Sequence, residues 1–157
     1  MRQKIASLLF GMIFLLIPAT AVHAAQAIPE ERQLPRLVDR ADLLTEEEET
    51  ALLEQLDEIS ERQQCDVAVV TVDGLDGKTS TAYADDFYDY NGYGYGPGDD
   101  GILLLISMED RDWAITTYGS AIRAFTDAGL EYLVAQFRPD LSDGAYYEAF
   151  TCFAEQC

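Results

Sequence analysis

Gly98-Asp99-Asp100-Gly101-Ile102-Leu103-Leu104-Leu105-Ile106 runs into Ser107-Met108-Glu109-Asp110-Arg111, and then into Asp112-Trp113-Ala114-Ile115-Thr116-Thr117-Tyr118-Gly119. An acidic loop leads into an unbroken apolar run, a tight turn and an alternating run. The apolar run reads as a strand covered on both faces. The alternating run puts Trp113, Ile115 and Thr117 on one side, and the two together read as a hairpin. The end of a central strand is where an α/β domain presents chemistry to solvent. Asp99 and Asp100 stand just before this strand, so they are the first candidates for a site.

Upstream, Val67 to Val72 is β-branched and apolar, as a first sheet strand should be. Asp73-Gly74-Leu75-Asp76-Gly77 is a turn, and its acids lack the alternating spacing of an EF-hand loop. Thr79 to about Tyr90 reads as a helix with Tyr83, Phe87 and Tyr90 on one face. It connects the two strands as a right-handed parallel crossover. Before them, Thr45 with Glu48 forms a capping box. It opens a helix whose buried stripe is Leu52, Leu56 and Ile59, with Leu53 at its edge. Glu46 to Glu49 suit the positive end of that helix. Leu37 to Leu44 is semi-extended.

Between crossover helix and hairpin lies Asn91-Gly92-Tyr93-Gly94-Tyr95-Gly96-Pro97-Gly98. It reads as a mobile loop over the rim: either a plain flexible loop or a lid whose Tyr93 and Tyr95 stack on a ligand. It matches neither a phosphate-binding nor a dinucleotide fingerprint. Beyond the hairpin, Thr126-Asp127 caps a helix with Leu130, Leu133, Val134 and Phe137 inward, which Pro139 ends. Ser142-Asp143-Gly144 starts a last helix carrying Tyr146, Phe150 and Phe153. The order is α, β, α, β, β, α, α, with helices on both sides of a small mixed sheet.

The 157 residues suit one domain, and the formal charge is −19. Met1-Arg2-Gln3-Lys4, the apolar Ile5 to Ile17 and Val22-His23-Ala24 read as a signal peptide over 1–24, followed by a linker over 25–36 and the folded domain over 37–157. The apolar run is short for a membrane span of about 20 residues. Removal of 1–24 leaves 8 basic and 29 acidic residues, a balance of −21, with Lys78 the single lysine. Such a field repels nucleic acid and anionic membranes and favours cations. Cys65, Cys152 and Cys157 are an odd count for an exported chain, and their pairing is open. The sole histidine is His23, so a Cys–His pair, a Ser-His-Asp triad and a His-based zinc site are all excluded from the domain.

Several stretches, in order, resemble the TPM domain, also called the TPM phosphatase domain. They are Val38-Asp39-Arg40-Ala41-Asp42-Leu43-Leu44-Thr45 with Glu48, Asp66-Val67-Ala68-Val69-Val70-Thr71-Val72, Tyr83-Ala84-Asp85-Asp86-Phe87, and Asp99-Asp100-Gly101-Ile102-Leu103-Leu104-Leu105 with Asp110-Arg111. Gly119, Phe125-Thr126-Asp127 and Leu141-Ser142-Asp143-Gly144-Ala145-Tyr146 continue it, so the resemblance spans about Leu37 to the C-terminus. Asp39, Arg111 and Asp127 fall on recurrent positions. The family includes thylakoid-lumen proteins linked to photosystem II repair and many secreted or membrane-anchored bacterial proteins. Thr117-Tyr118-Gly119-Ser120 departs from it, since many members have a second glycine there. Members often continue into a polar tail and a membrane segment, whereas this sequence stops at Cys157. Membrane contact is therefore expected only through an uncleaved signal or a C-terminal anchor outside this sequence.

The resemblance implies a three-layer α/β/α sandwich around a mixed sheet, a divalent cation such as calcium near the acidic loop, and in some members a weak acid phosphatase. Three functions follow as expectations. The first is an extracytoplasmic module binding calcium through Asp99 and Asp100, with Asp73 at the end of the neighbouring strand on the same rim. The second is a slow metal-dependent phosphomonoesterase, with Arg111 holding a phosphate oxygen or, alternatively, serving as a hairpin salt-bridge partner. The third is an accessory scaffold that contacts another envelope protein through its tyrosines. No nucleotide or organic cofactor is expected.

Overall fold

The computed structural model describes residues 27–157; the signal-peptide expectation for 1–24 lies outside them. Four strands form one sheet in chain order: β1 (Leu37–Asp39), β2 (Asp66–Val72), β3 (Gly101–Ser107) and β4 (Asp112–Tyr118). β1–β2 and β2–β3 are parallel, and β3–β4 is the antiparallel hairpin. β1 adds a strand where the sequence suggested only semi-extended chain. Its three residues are too few to show a period, and pairing with Val69, Val70 and Thr71 defines them.

Five helices cover the sheet: α1 (Glu46–Gln63), α2 (Ser80–Tyr90), the single turn α3 (Ala121–Ala124), α4 (Asp127–Asp143) and α5 (Tyr146–Gln156). Strand alternation sorts the core into two layers. Val67, Val69, Ile102, Leu104 and Ile106 pack with Leu52, Leu56 and Ile59 of α1, and with Phe137, Phe150 and Phe153 of α4 and α5. Ala68, Val70, Leu103 and Leu105 face the other way, onto Ala84, Phe87 and Tyr88 of α2. β2 and β3 are buried along their whole length, as a doubly covered parallel pair requires. The result is the three-layer α/β/α sandwich.

Thr45 and Glu48 make the reciprocal capping box in front of α1. Pro139, in contrast, does not end α4. The ring removes one backbone donor, but this turn of α4 faces water, where Ala135 and Pro139 are both exposed and the freed carbonyl of Ala135 can be hydrated. The helix continues to Asp143 and stops at Gly144, which adopts φ 78° as a left-handed cap. Ser142-Asp143-Gly144 therefore closes α4, and the last helix starts at Tyr146.

Candidate functional site

The parallel pairing of β2 with β3 separates residues that the sequence placed together. Asp66 is level with Gly101 and Val72 with Ser107. Asp99 and Asp100 thus precede the start of β3, while Asp73 follows the end of β2. Seven residues at ~3.3 Å each put them roughly 20 Å apart, on opposite rims. Asp73 cannot share a cation with Asp99 and Asp100. Arg111 lies on the Asp73 side, at the hairpin tip with φ 51°. The hairpin is tied by Asp110 instead, whose Oδ2 accepts from Leu75 N at 2.9 Å and Ser107 Oγ at 2.8 Å. The ion pairs among the described residues involve Arg36 and Lys78, so Arg111 forms no salt bridge there.

At the upper rim, Asp99 is exposed and left-handed, with φ 50°. Its carbonyl accepts from Tyr88 Oη at 3.0 Å. Asp100 bridges Tyr95 through two backbone hydrogen bonds, of 2.9 and 3.2 Å. Its Oδ1 accepts a short hydrogen bond from Ser120 N. Gly119 makes this approach feasible: a Cβ there would lie 2.1 Å from Asp100 Oδ1 and 2.3 Å from Gly98 O, and φ is +61°.

Two further acids, Asp85 and Asp89 on α2, join this rim. Asp85 accepts from Thr116 Oγ1 at 2.5 Å. Burial raises the Asp89 pKa; a Tyr118 hydrogen bond works against the shift, and the Asp85, Asp86 and Asp99 carboxylates add to it. Tyr118 is pushed up to about 12, by burial first and then by Asp85 and Asp89. Asp89 and Asp99 line one cleft of about 670 Å³ together with Glu30, Glu31 and Arg32. The signal for the helix acids was visible as Asp85 and Asp89, four apart and so on one helix face. The meeting of Asp89 with Asp99 depends on the loop, which no periodicity foretells.

That loop is held rather than loose. Tyr93 is 4 % exposed and packs on Phe87 and Tyr88. Its hydroxyl donates to Pro35 O at 2.6 Å. Gly94 N donates to Asp66 Oδ2 at 2.9 Å, and Tyr95 Oη to Glu61 Oε2 at 3.1 Å. Tyr93, expected as a stacking side chain of a loop over the rim, is instead packed in the core, and Asp66, held by Arg36, anchors the loop backbone. Arg36, at the end of the presumed linker, is itself buried. Asp39 likewise organises backbone, accepting from Leu43 N and Leu44 N at 2.8 Å and from Thr71 Oγ1. Asp127 is the first residue of α4, behind the Thr126 cap.

The acids and backbone carbonyls of the upper rim are oxygen donors of the kind a hard cation takes, and the Cys65 thiol lies close to Asp100. Positive charge near Asp89 would offset the burial and the neighbouring carboxylates that raise its pKa. Among the described residues, however, no group of three or more Asp, Glu, His or Cys side chains is arranged to hold a metal. The acids of this rim therefore form no dedicated metal cage among the described residues.

The α/β/α sandwich, with its parallel strands and antiparallel hairpin, is the architecture of a known class of domains. The TPM domain family model matches residues 37–157, and the chain belongs to that family. The UPF0603 protein YdjH of Bacillus subtilis (strain 168) is 26 % identical over 143 residues, which cover 91 % of this chain and 53 % of YdjH. The chain therefore spans about half the length of that relative. Among solved structures, the N-terminal domain of a P. gingivalis protein is similar with a TM-score of 0.66 at 18 % identity, covering 82 % of this chain and 87 % of that one. The N-terminal domain of the cg2496 protein from Corynebacterium glutamicum gives 0.62 at 18 %, covering 84 % of each chain. The BA42 protein of Bizionia argentinensis gives 0.64 at 15 %, covering 72 % and 77 %. At these identities the structural likeness concerns the fold.

Proposed function

We propose that this TPM domain works outside the cytoplasm as a calcium-binding accessory module of the cell envelope, contacting another envelope protein. The observation that carries the cation reading is Asp89: a carboxyl whose pKa is raised by burial and by Asp85, Asp86 and Asp99, facing a cleft it shares with Asp99. A divalent ion there would replace repulsion with attraction. Asp99 and Asp89 would hold it, with Asp100 shaping the loop through Ser120 N. What the ion supplies is positive charge that fixes the loop. Export is supported by the charged, apolar and small-residue sequence of residues 1–24. Among the described residues, no helix is long and apolar enough to cross a membrane.

Weak acid phosphatase activity is the alternative. It has less support, because Arg111 lies roughly 20 Å from Asp99 and Asp100 and cannot hold a phosphate above an ion at their rim.

Calorimetric titration with calcium, with magnesium as a control, tests the cation reading. Saturable binding that disappears in Asp99→Asn/Asp89→Asn supports it. Absence of heat, or binding indifferent to both changes, removes the cation from this rim.

A further inference from the structure

At the opposite rim a cleft of about 630 Å³ opens between the β3–β4 hairpin and the end of α4. This size is typical of small-ligand sites. It lies beyond the carboxyl end of β3, the end at which open α/β sheets take ligands. Arg111 from the hairpin tip and Arg138 from α4 both line it. Among the described residues the ion pairs use only Arg36 and Lys78. Arg32, Arg40, Arg62 and Arg123 are likewise outside these pairs, so what sets Arg111 and Arg138 apart is that they share one cleft. Two guanidinium groups without a carboxylate partner thus border one cavity.

The remaining wall is part apolar and part polar, with Ser107 and Ser142 among its residues. Trp113, Met108, Leu141 and Tyr146 contribute the apolar part. Trp113 stands edge-on to the buried Phe137, with ring centroids 6.1 Å apart, which fixes the indole. Asp112 and Asp143 also line the cleft and balance the two arginines in formal charge. A dianion would meet both carboxylates; a single carboxylate meets less repulsion and still fits the planar fork of arginine.

We propose that this cleft binds a small organic monocarboxylate with an apolar or aromatic body. The carboxylate lies between Arg111 and Arg138, and the body rests on Trp113 and its apolar neighbours. This site is independent of the acidic rim and of any cation there.

Trp113 is the only tryptophan, so its fluorescence reports on the cleft directly. The probe is phenylacetate, with 2-phenylethanol as the neutral control and inorganic phosphate as the dianion control. The expected result is a saturable change in Trp113 emission with a midpoint of about 1 mM. Arg138→Ala and Arg111→Ala should each weaken it by about tenfold or more, and the two controls should bind at least as weakly as those variants. Both arginines are exposed, so the variants should unfold at the wild-type temperature, confirming that the fold is intact. No saturable change, equal binding by 2-phenylethanol, tighter binding by phosphate, or an unchanged midpoint in Arg138→Ala would each overturn the proposal.

Discussion

Arg36 and Asp66 are joined beneath the Gly-Tyr loop: Nε donates to Oδ1 at 2.8 Å, Nη2 lies 2.7 Å from the same oxygen, and the side chains are only 6 % and 3 % exposed. The other carboxylate oxygen accepts from Gly94 N. Asp66→Ala removes the buried carboxylate partner of Arg36 and the acceptor of Gly94 N, leaving the guanidinium with the more exposed Asp57 and Glu61. It should cost about 3 kcal/mol. Glu61→Ala, which removes the exposed end of the same network, should cost about 1 kcal/mol or less. Urea denaturation of both variants checks the contrast. Hydrogen exchange should also show Gly94 losing protection in a folded Asp66→Asn protein.

Gly119→Ala places a methyl group against Asp100 and Gly98 O in a left-handed backbone. The expected loss is about 2–4 kcal/mol. Gly77→Ala also sits at positive φ but has open space around it, so its loss should be smaller, about 1 kcal/mol. Equal thermal shifts for the two would mean that the approach of Asp100 to Ser120 carries little of the stability.

Asp89 gives a pH dependence with a definite sign. Its folded-state pKa lies above the unfolded value, so its contribution to stability is most favourable below the unfolded pKa and is lost as pH rises through the folded one. Without calcium, Asp89→Asn should raise the melting temperature at pH 7 and make little difference at pH 3. With calcium, the wild type should gain more than the variant. Melting curves at the two pH values, with and without the ion, decide this. A variant less stable at pH 7 in calcium-free buffer would contradict the like-charge account.

Cys65 should be a sluggish thiol. Burial, followed by the charges of Asp100 and Asp66, pushes it up to about 11. At pH 8 its thiolate fraction falls roughly 100-fold below that of an ordinary cysteine, and alkylation should slow in proportion. Timed alkylation with mass spectrometry measures it. Reaction at the rate of a free cysteine would show that Cys65 is more open to solvent than its surroundings imply.

The chain's regular elements were legible because their signals are local and redundant. Ile102 to Ile106 declares a covered strand, Thr45 with Glu48 declares a helix start, and Leu52, Leu56 and Ile59 declare its inner face. Failures came where local chemistry had two outcomes. Pro139 stops a helix in the core but passes on a wet face, and Gly144 starts or ends a helix according to its φ. The site was less legible still. Asp99 and Asp100 were conspicuous beside the central strand, but the parallel register carried Asp73 away to the other rim. Asp89 looked like any helix acid until α2 docked on β4. Arg36 lay in what read as linker, and only Asp66, 30 positions on, gives it a purpose. Arg138 was one charged residue on an exposed helix face until the hairpin tip came alongside.

Strand order equals chain order, which gives the sandwich a direction of assembly. By Tyr118 the whole sheet and both crossover helices have been supplied, and each new strand has found its predecessor already in place. The last part of the chain adds no pairing; it roofs one side. Until α4 and α5 arrive, Ile102, Leu104 and Ile106 are sheltered on that side by α1 alone, while their α2-facing neighbours are already enclosed. The molecule is thus a finished floor awaiting half its roof, and its last helix, with Phe150 and Phe153 fully buried, is what turns a sticky surface into a closed interior.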